Sequence, residues 1–212
     1  MTKYKAGFLI AIEGIDGSGK TTFSNMIRDK LESMGLDVFV LPSGGFHSSE
    51  VEAQLRQIAV SENNNIVDTT ETLIYFASLA QKVGQYIIPA LRENKVVIVD
   101  RFVLSTFVIS HYMLHQDRQI TSELLHFASQ GIKPDFTFLC DLDESVAYSR
   151  LLSRGKELSK REKKGLPLMS TLRKGFLEEI ANTSVHFEII RTDRILLDEM
   201  GAYIDALGQY FL

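Results

Sequence analysis

The chain has 212 residues, of which 45% are hydrophobic and 24% charged, and its net charge is -4. Those values suit one sizeable globular core, and the mild acidity argues against a general nucleic-acid surface, which needs a basic face. No apolar stretch reaches the ~20 residues of a membrane span, so the expectation is one domain over 1–212, cytoplasmic, with no nucleic-acid or membrane partner and with any anion site local.

The first element is "GFLIAIE" (7–13), a near-continuous apolar run of the kind found in strands covered on both faces. After a glycine loop, Lys20 to Met34 reads as a helix stopped by Gly35. "DVFVLP" (37–42) is the second strand and Ser48 to Val60 the next helix. Asp68 to Glu93 is one long helical pattern, in which Pro89 is expected to put a kink near the end. "KVVIVD" (95–100) is the third strand, followed by helical patterns at Phe102 to His115 and Ser122 to Gln130. The fourth strand is "DFTFLCDL" (135–142); helices at Asp143 to Ser153 and Leu168 to Asn182 follow. A fifth strand, "HFEIIRT" (186–192), and a helix from Ile195 to Tyr210 close the chain. This alternation predicts a three-layer α/β fold: a five-stranded parallel sheet flanked by helices, joined by right-handed crossovers. Ligands of such sheets bind outside the carboxyl ends of the strands.

The loop after the first strand is the most informative stretch. Gly14-Ile15-Asp16-Gly17-Ser18-Gly19-Lys20-Thr21 fits G-x-x-x-x-G-K-[ST], with a strand before it and a helix after it. Its glycines let backbone N–H groups turn inward as an anion nest, and the helix start adds partial positive charge. Gly14 through Thr22 are the candidate ATP-binding residues, with Lys20 reaching the β- and γ-phosphates and Thr21 offering its hydroxyl to Mg²⁺. Asp100, at the end of "VVIVDR", is the candidate acid for the same metal.

Two classes of nucleotide machine compete: a phosphotransferase and a switch or motor. The guanine-reading N-K-x-D is absent, because Asn94-Lys95 is followed by Val96 and Val97. A kinase needs a mobile basic lid, and "RLLSRGKELSKREKKGLP" (150–167) supplies one, with the lid itself expected at about 154–166. Cys140, the one cysteine, reads as a core residue rather than a nucleophile, and the five histidines lack metal-ligand spacing.

"FLIAIEGIDGSGKTT", "ETLIYFASLAQKVGQYIIPALRENKVVIVDRFVLST" and "PDFTFLCDLDESVAYSRLLSRG" resemble successive signatures of the thymidylate kinases, which are P-loop nucleoside monophosphate kinases. The resemblance runs from about Phe8 to Gly155 and more loosely to the end. It implies Mg²⁺- and ATP-dependent phosphorylation of a nucleoside monophosphate, most simply dTMP to dTDP, by a homodimer. It also implies roles. Asp16 would approach the acceptor's sugar hydroxyl, Arg101 would hold the acceptor phosphate, and Tyr75 would stack on the base. Gln81 and Ser105 would line the same pocket. The catalytic set is then Lys20 and Arg101 with the lid arginines Arg154 and Arg161, since the loop carries no arginine of its own.

Three positions depart from the family pattern. Leu41 stands where an arginine would contact the acceptor phosphate, and Leu79 where an arginine would read the thymine carbonyl. Ile109 replaces an aromatic that excludes a ribose 2′-hydroxyl. The donor half reads as intact and the acceptor half as rebuilt. Another nucleotide, a deoxynucleoside, or nucleotide binding with a degenerate acceptor pocket are the alternatives to dTMP.

Overall fold

Successive residues of a strand face opposite sides, so a strand buried on both faces must be apolar at every position. The first strand shows this directly. In a computed structural model that describes residues 7–42, 49–61 and 64–193, with Tyr203 and Leu207, β1 (Phe8–Glu13) sends Leu9 and Ala11 to one hydrophobic cluster and Ile10 and Ile12 to another. β3 (Val96–Asp100) divides in the same way, with Val97 and Val99 on the first side and Val96 and Ile98 on the second.

With β2 (Val38–Leu41), β4 (Phe136–Asp141) and β5 (His186–Arg191), these strands form a five-stranded sheet in the order β2-β3-β1-β4-β5, and every pair is parallel. The five predicted strands are all present, each within a residue or two of its expected ends. α1 (Lys20–Ser33) packs Phe23, Ile27 and Leu31 on one face of the sheet. α2 (Glu50–Val60) is capped by Ser49, whose side chain accepts from the Glu52 N–H. It lies against α3 (Asp68–Lys82), which puts Phe76 and Leu79 on the other face of the sheet.

The long helix predicted over 68–93 is interrupted as Pro89 requires. α3 passes into a π-helical turn (Val83–Ile87) and then α4 (Ile88–Arg92). Proline has no N–H to give and its ring crowds the preceding turn, so a widened turn ahead of it removes the conflict. A second π turn (Ile109–Met113) follows α5 (Val103–Val108). α6 (Arg118–Ala128) begins four residues earlier than the expected Ser122, because the Asp117 carboxylate accepts from the N–H groups of Gln119 and Ile120. After α7 (Glu144–Leu152) comes a 3₁₀ turn (Glu162–Lys164) and then α8 (Gly165–Ala181). The last two residues of the expected lid, Gly165 and Leu166, therefore belong to a helix. Arg173 of α8 grips both carboxylate oxygens of Asp141 at 2.7 and 3.0 Å, tying that helix to the end of β4.

No helix among the described residues is long and apolar enough to cross a membrane. The expected helix at 195–210, apart from Tyr203 and Leu207, and loop residues 43–48 lie outside the described residues.

Candidate active site

The register of the sheet assembles the site. Ile12 of β1 pairs with Asp100 of β3, so the loop leaving β1 and the end of β3 lie side by side. The Arg101 N–H continues that ladder by donating to the Ile12 carbonyl at 2.9 Å. Close packing explains two of the loop's glycines. A Cβ on Gly14 would stand 2.4 Å from the Cys140 carbonyl oxygen, and one on Gly17 2.4 Å from that of Ala147; both have positive φ.

Lys20 and Thr21 open α1, which no side chain caps. The Lys20 ammonium folds back over the loop and donates to the Ile15 carbonyl at 2.7 Å. Burial, then the nearby Arg101, lowers Lys20 to about 8, against partial support from Asp100 and Asp16. Thr21 Oγ1 donates to Asp100 Oδ2 at 2.9 Å. The other Asp100 oxygen, Oδ1, is buried and bonds nothing among the described residues. A buried carboxylate oxygen without a donor, beside a hydroxyl already aimed at its twin, is a donor set for a hard cation that completes its shell with phosphate and water. Ser18 Oγ is likewise buried, with no hydrogen-bond partner among the described residues.

On the other side of the loop, Asp16 joins two arginines. Arg101 Nη2 donates to its Oδ1 at 2.5 Å and Arg161 Nη2 to its Oδ2 at 2.8 Å. Burial alone would raise Asp16, but Arg161, Arg101 and Lys20 overcome it and hold the carboxyl well below its usual range. Arg161 Nε is buried and unpaired among the described residues. The Arg101 backbone sits in the left-handed region, at φ 71°. Glu13 holds it there from behind. One Glu13 carboxylate oxygen accepts from the Phe102 N–H at 2.9 Å, and the other from the Ser105 hydroxyl, which in turn accepts from Arg101 Nη1 at 3.2 Å.

Asp16, Arg101 and Arg161 line a cavity together with Glu52 and Arg56 of α2, Tyr75, Ser78, Leu79 and Lys82 of α3, Ser105 of α5 and Ile109 of the second π turn. The Tyr75 hydroxyl donates to Glu71 at 3.2 Å. Burial and then the neighbouring Arg161 push Arg56 below the usual arginine value. Cations thus crowd around the Asp16 carboxylate, which is the electrostatics of a site built for anionic ligands.

Of the sequence-predicted residues, the structure brings Asp16, Lys20, Thr21, Tyr75, Leu79, Asp100, Arg101, Ser105, Ile109 and Arg161 together around the loop and this cavity. Two stand apart. Gln81 donates to Gln85 on the exposed side of α3, and Arg154 is half exposed, 3.8 Å from Glu162. Arg56, Glu52 and Lys82 went unpredicted. Their signal was an alternation of charge with apolar residues on α2 and α3, which any surface helix also shows. Among the described residues no three His, Cys, Asp or Glu side chains cluster as a metal site.

The sequence has relatives among known proteins. The thymidylate kinase family model matches residues 12–198. A thymidylate kinase of Pelotomaculum thermopropionicum is 32% identical over 189 residues, covering 89% of this chain and 87% of that protein. One from Thermoanaerobacter sp. (strain X514) is 32% identical over 205 residues, covering 96% and 98%. One from Pelodictyon phaeoclathratiforme is 33% identical over 178 residues, covering 80% and 81%.

Proposed function

The chain belongs to the thymidylate kinase family, and from that premise we propose that it transfers the γ-phosphoryl group of ATP to the phosphate of dTMP, giving ADP and dTDP. One observation carries the reading. The same glycine loop carries Lys20 and Thr21 on one side and Asp16, linked to Arg101 and Arg161, on the other. Donor and acceptor sites therefore share a wall, as direct transfer between them demands.

Transfer of a phosphoryl group needs in-line positioning and neutralised charge rather than covalent help. Lys20 exchanges its bond to the Ile15 carbonyl for a β- or γ-phosphate oxygen. Thr21 and Asp100 would hold Mg²⁺, which when bound spreads the charge of the triphosphate and fixes its oxygens. Arg101, with Arg56 near it, holds the acceptor phosphate. Asp16 meets the acceptor's sugar hydroxyl, and Tyr75 lies against its base. Arg161 brings the lid down on the transferred group and keeps water out. Arg154, outside the cavity, has a supporting place on the lid at most.

A second reading takes another nucleotide or a deoxynucleoside as acceptor. Leu79 and Ile109, both apolar, line the cavity where the family carries a polar and an aromatic side chain. Steady-state kinetics with Mg-ATP and a panel of dTMP, dUMP, dCMP, dGMP and thymidine separate the two. Preferred turnover of dTMP with release of dTDP is expected, and preference for any other member moves the acceptor assignment.

A homodimer completes the proposal. Leu73 of α3 and Ile120 and Phe127 of the adjoining α6 are exposed and supply apolar surface for it. Light scattering tests it, and a monomeric mass would refute it.

A further inference from the structure

Two charged side chains in the cavity wall have no place in the scheme above. Glu52 of α2 is 1% exposed and Lys82 of α3 13% exposed, and the Lys82 ammonium lies 3.3 Å from the Glu52 carboxylate. The Ser78 hydroxyl donates to the same Glu52 oxygen at 3.2 Å. All three line the cavity that holds Asp16, Arg101 and Tyr75.

A buried ion pair contributes little net stability, because desolvating both charges offsets their attraction. What this pair does provide is chemistry at a defined place. Residues three and four apart on a helix share a face, so Tyr75, Ser78, Leu79 and Lys82 form one stripe of α3. Glu52 and Arg56 form the facing stripe of α2. Arg56 also lines a second hollow with Tyr75, Ser159 and Arg161, which puts it on the side of the cavity nearest the basic segment and Asp16. Glu52, one turn earlier on α2, lines the cavity but not that hollow, so an acceptor whose phosphate sits by Arg56 and Arg101 would bring its base toward Glu52. There the wall offers a strong acceptor immediately beside a strong donor.

We infer that Glu52 and Lys82 read the hydrogen-bonding edge of the acceptor's base, Glu52 accepting from the ring N3–H and Lys82 donating to an adjacent ring carbonyl. This deepens the proposed function and rests on its assignment of the acceptor site. A thymine ring presents that order, an N–H donor flanked by two carbonyl acceptors. Leu79 and Ile109 then serve as apolar walls for the ring, and the polar reading passes to the α2–α3 pair.

The test compares dTMP with N3-methyl-dTMP, whose N3 has no hydrogen to give. The protein as it stands should use the methylated acceptor at least ~100-fold less efficiently in kcat/KM, because the N3–H that Glu52 would accept is replaced by a methyl group pressed against a buried carboxylate. In Glu52→Leu/Lys82→Met, an apolar pair of similar size, that gap should close to below about tenfold. Its KM for dTMP should rise while kcat stays within about threefold and the KM for ATP is unchanged. A merely structural tie between α2 and α3 would shift the melting temperature and leave the ratio between the two acceptors untouched. Comparable use of both acceptors by the unmodified protein overturns the inference without any variant, and so does a folded double variant that keeps the full discrimination. If dTMP is turned over and either of those results is found, the inference alone falls. If dTMP is not turned over, the acceptor assignment falls with it.

Discussion

Asp16 Oδ2 accepts a hydrogen bond from Arg161 Nη2 at 2.8 Å across 145 residues of sequence, so the glycine loop is tied directly to the basic segment proposed as the lid. Both side chains are about four-fifths buried, which makes a charged hydrogen bond of this kind worth roughly 1–3 kcal/mol. Asp16→Asn should loosen the lid. Limited trypsin digestion is expected to cut among the basic residues of 154–164 about tenfold faster in the variant, and an unchanged cleavage rate would show that the lid is held elsewhere.

The two lid arginines should separate kinetically. Arg161 faces the loop and keeps a buried Nε with no partner among the described residues, whereas Arg154 lies half exposed against Glu162. Arg161→Ala should lower kcat by ~10²-fold or more, since a cation aimed at the transferred group acts in the transition state. Arg154→Ala should change kcat less than about threefold. Equal losses in the two variants would place Arg154 in the site after all.

Lys20 gives a pH signature. Its pKa, lowered to about 8 by burial and by Arg101, lies below the usual lysine value of 10.5. Between those values the unfolded chain binds the extra proton, so stability without ligand should rise with pH across that window. Phosphate binding favours the ammonium, so ATP binding near pH 8.5 should take up a proton. Calorimetric titrations in two buffers of different ionisation enthalpy measure that uptake, and none at all would contradict the position given to Lys20. Lys20→Ala should abolish both the proton uptake and the phosphoryl transfer.

Ser105 supports Arg101 at one remove. It donates to Glu13 and accepts from Arg101. Burial raises the Glu13 carboxyl, and the bonds from Ser105 and Phe102 pull it back. Ser105→Ala should cost about 1–2 kcal/mol and raise the KM for the acceptor. A carboxyl with a raised folded pKa loses stability as pH rises through that value, and removing Ser105 raises it further. The loss of melting temperature should therefore be larger at neutral pH than in mild acid, and a loss independent of pH would show that Glu13 is not the group affected.

The sheet was legible because its strands are buried on both faces and read as unbroken apolar runs. The course of the glycine loop was legible for a similar reason: close backbone packing leaves room only for glycine at fixed spacing, as at Gly14 and Gly17. The rest depends on distances that sequence does not encode. Arg154 and Arg161 belong to one basic run, and only the path of the chain turns one inward and the other out. Glu52 and Lys82 are 30 positions apart, on helices whose charges look like solvated surface until the two are packed together. Arg101 could be named from its motif, but its left-handed backbone could not, since Glu13 and the β1 ladder impose it from elsewhere. Asp117 falls between the helices expected at 102–115 and 122–130, and its capping bonds start α6 ahead of the expected Ser122.

Cys140 is 1% exposed on β4, and burial pushes its thiol up to about 12. Its carbonyl also closes against Gly14 at the root of the glycine loop. As the only sulfhydryl in the chain, it is a built-in clock for opening at the centre of the sheet. Alkylation must wait for that opening, so the labelling rate reports how often the middle of the molecule comes apart. Nucleotides that occupy the loop should slow the clock in proportion to how tightly they bind, which gives a ligand screen that needs no turnover, no engineered label and no assigned acceptor.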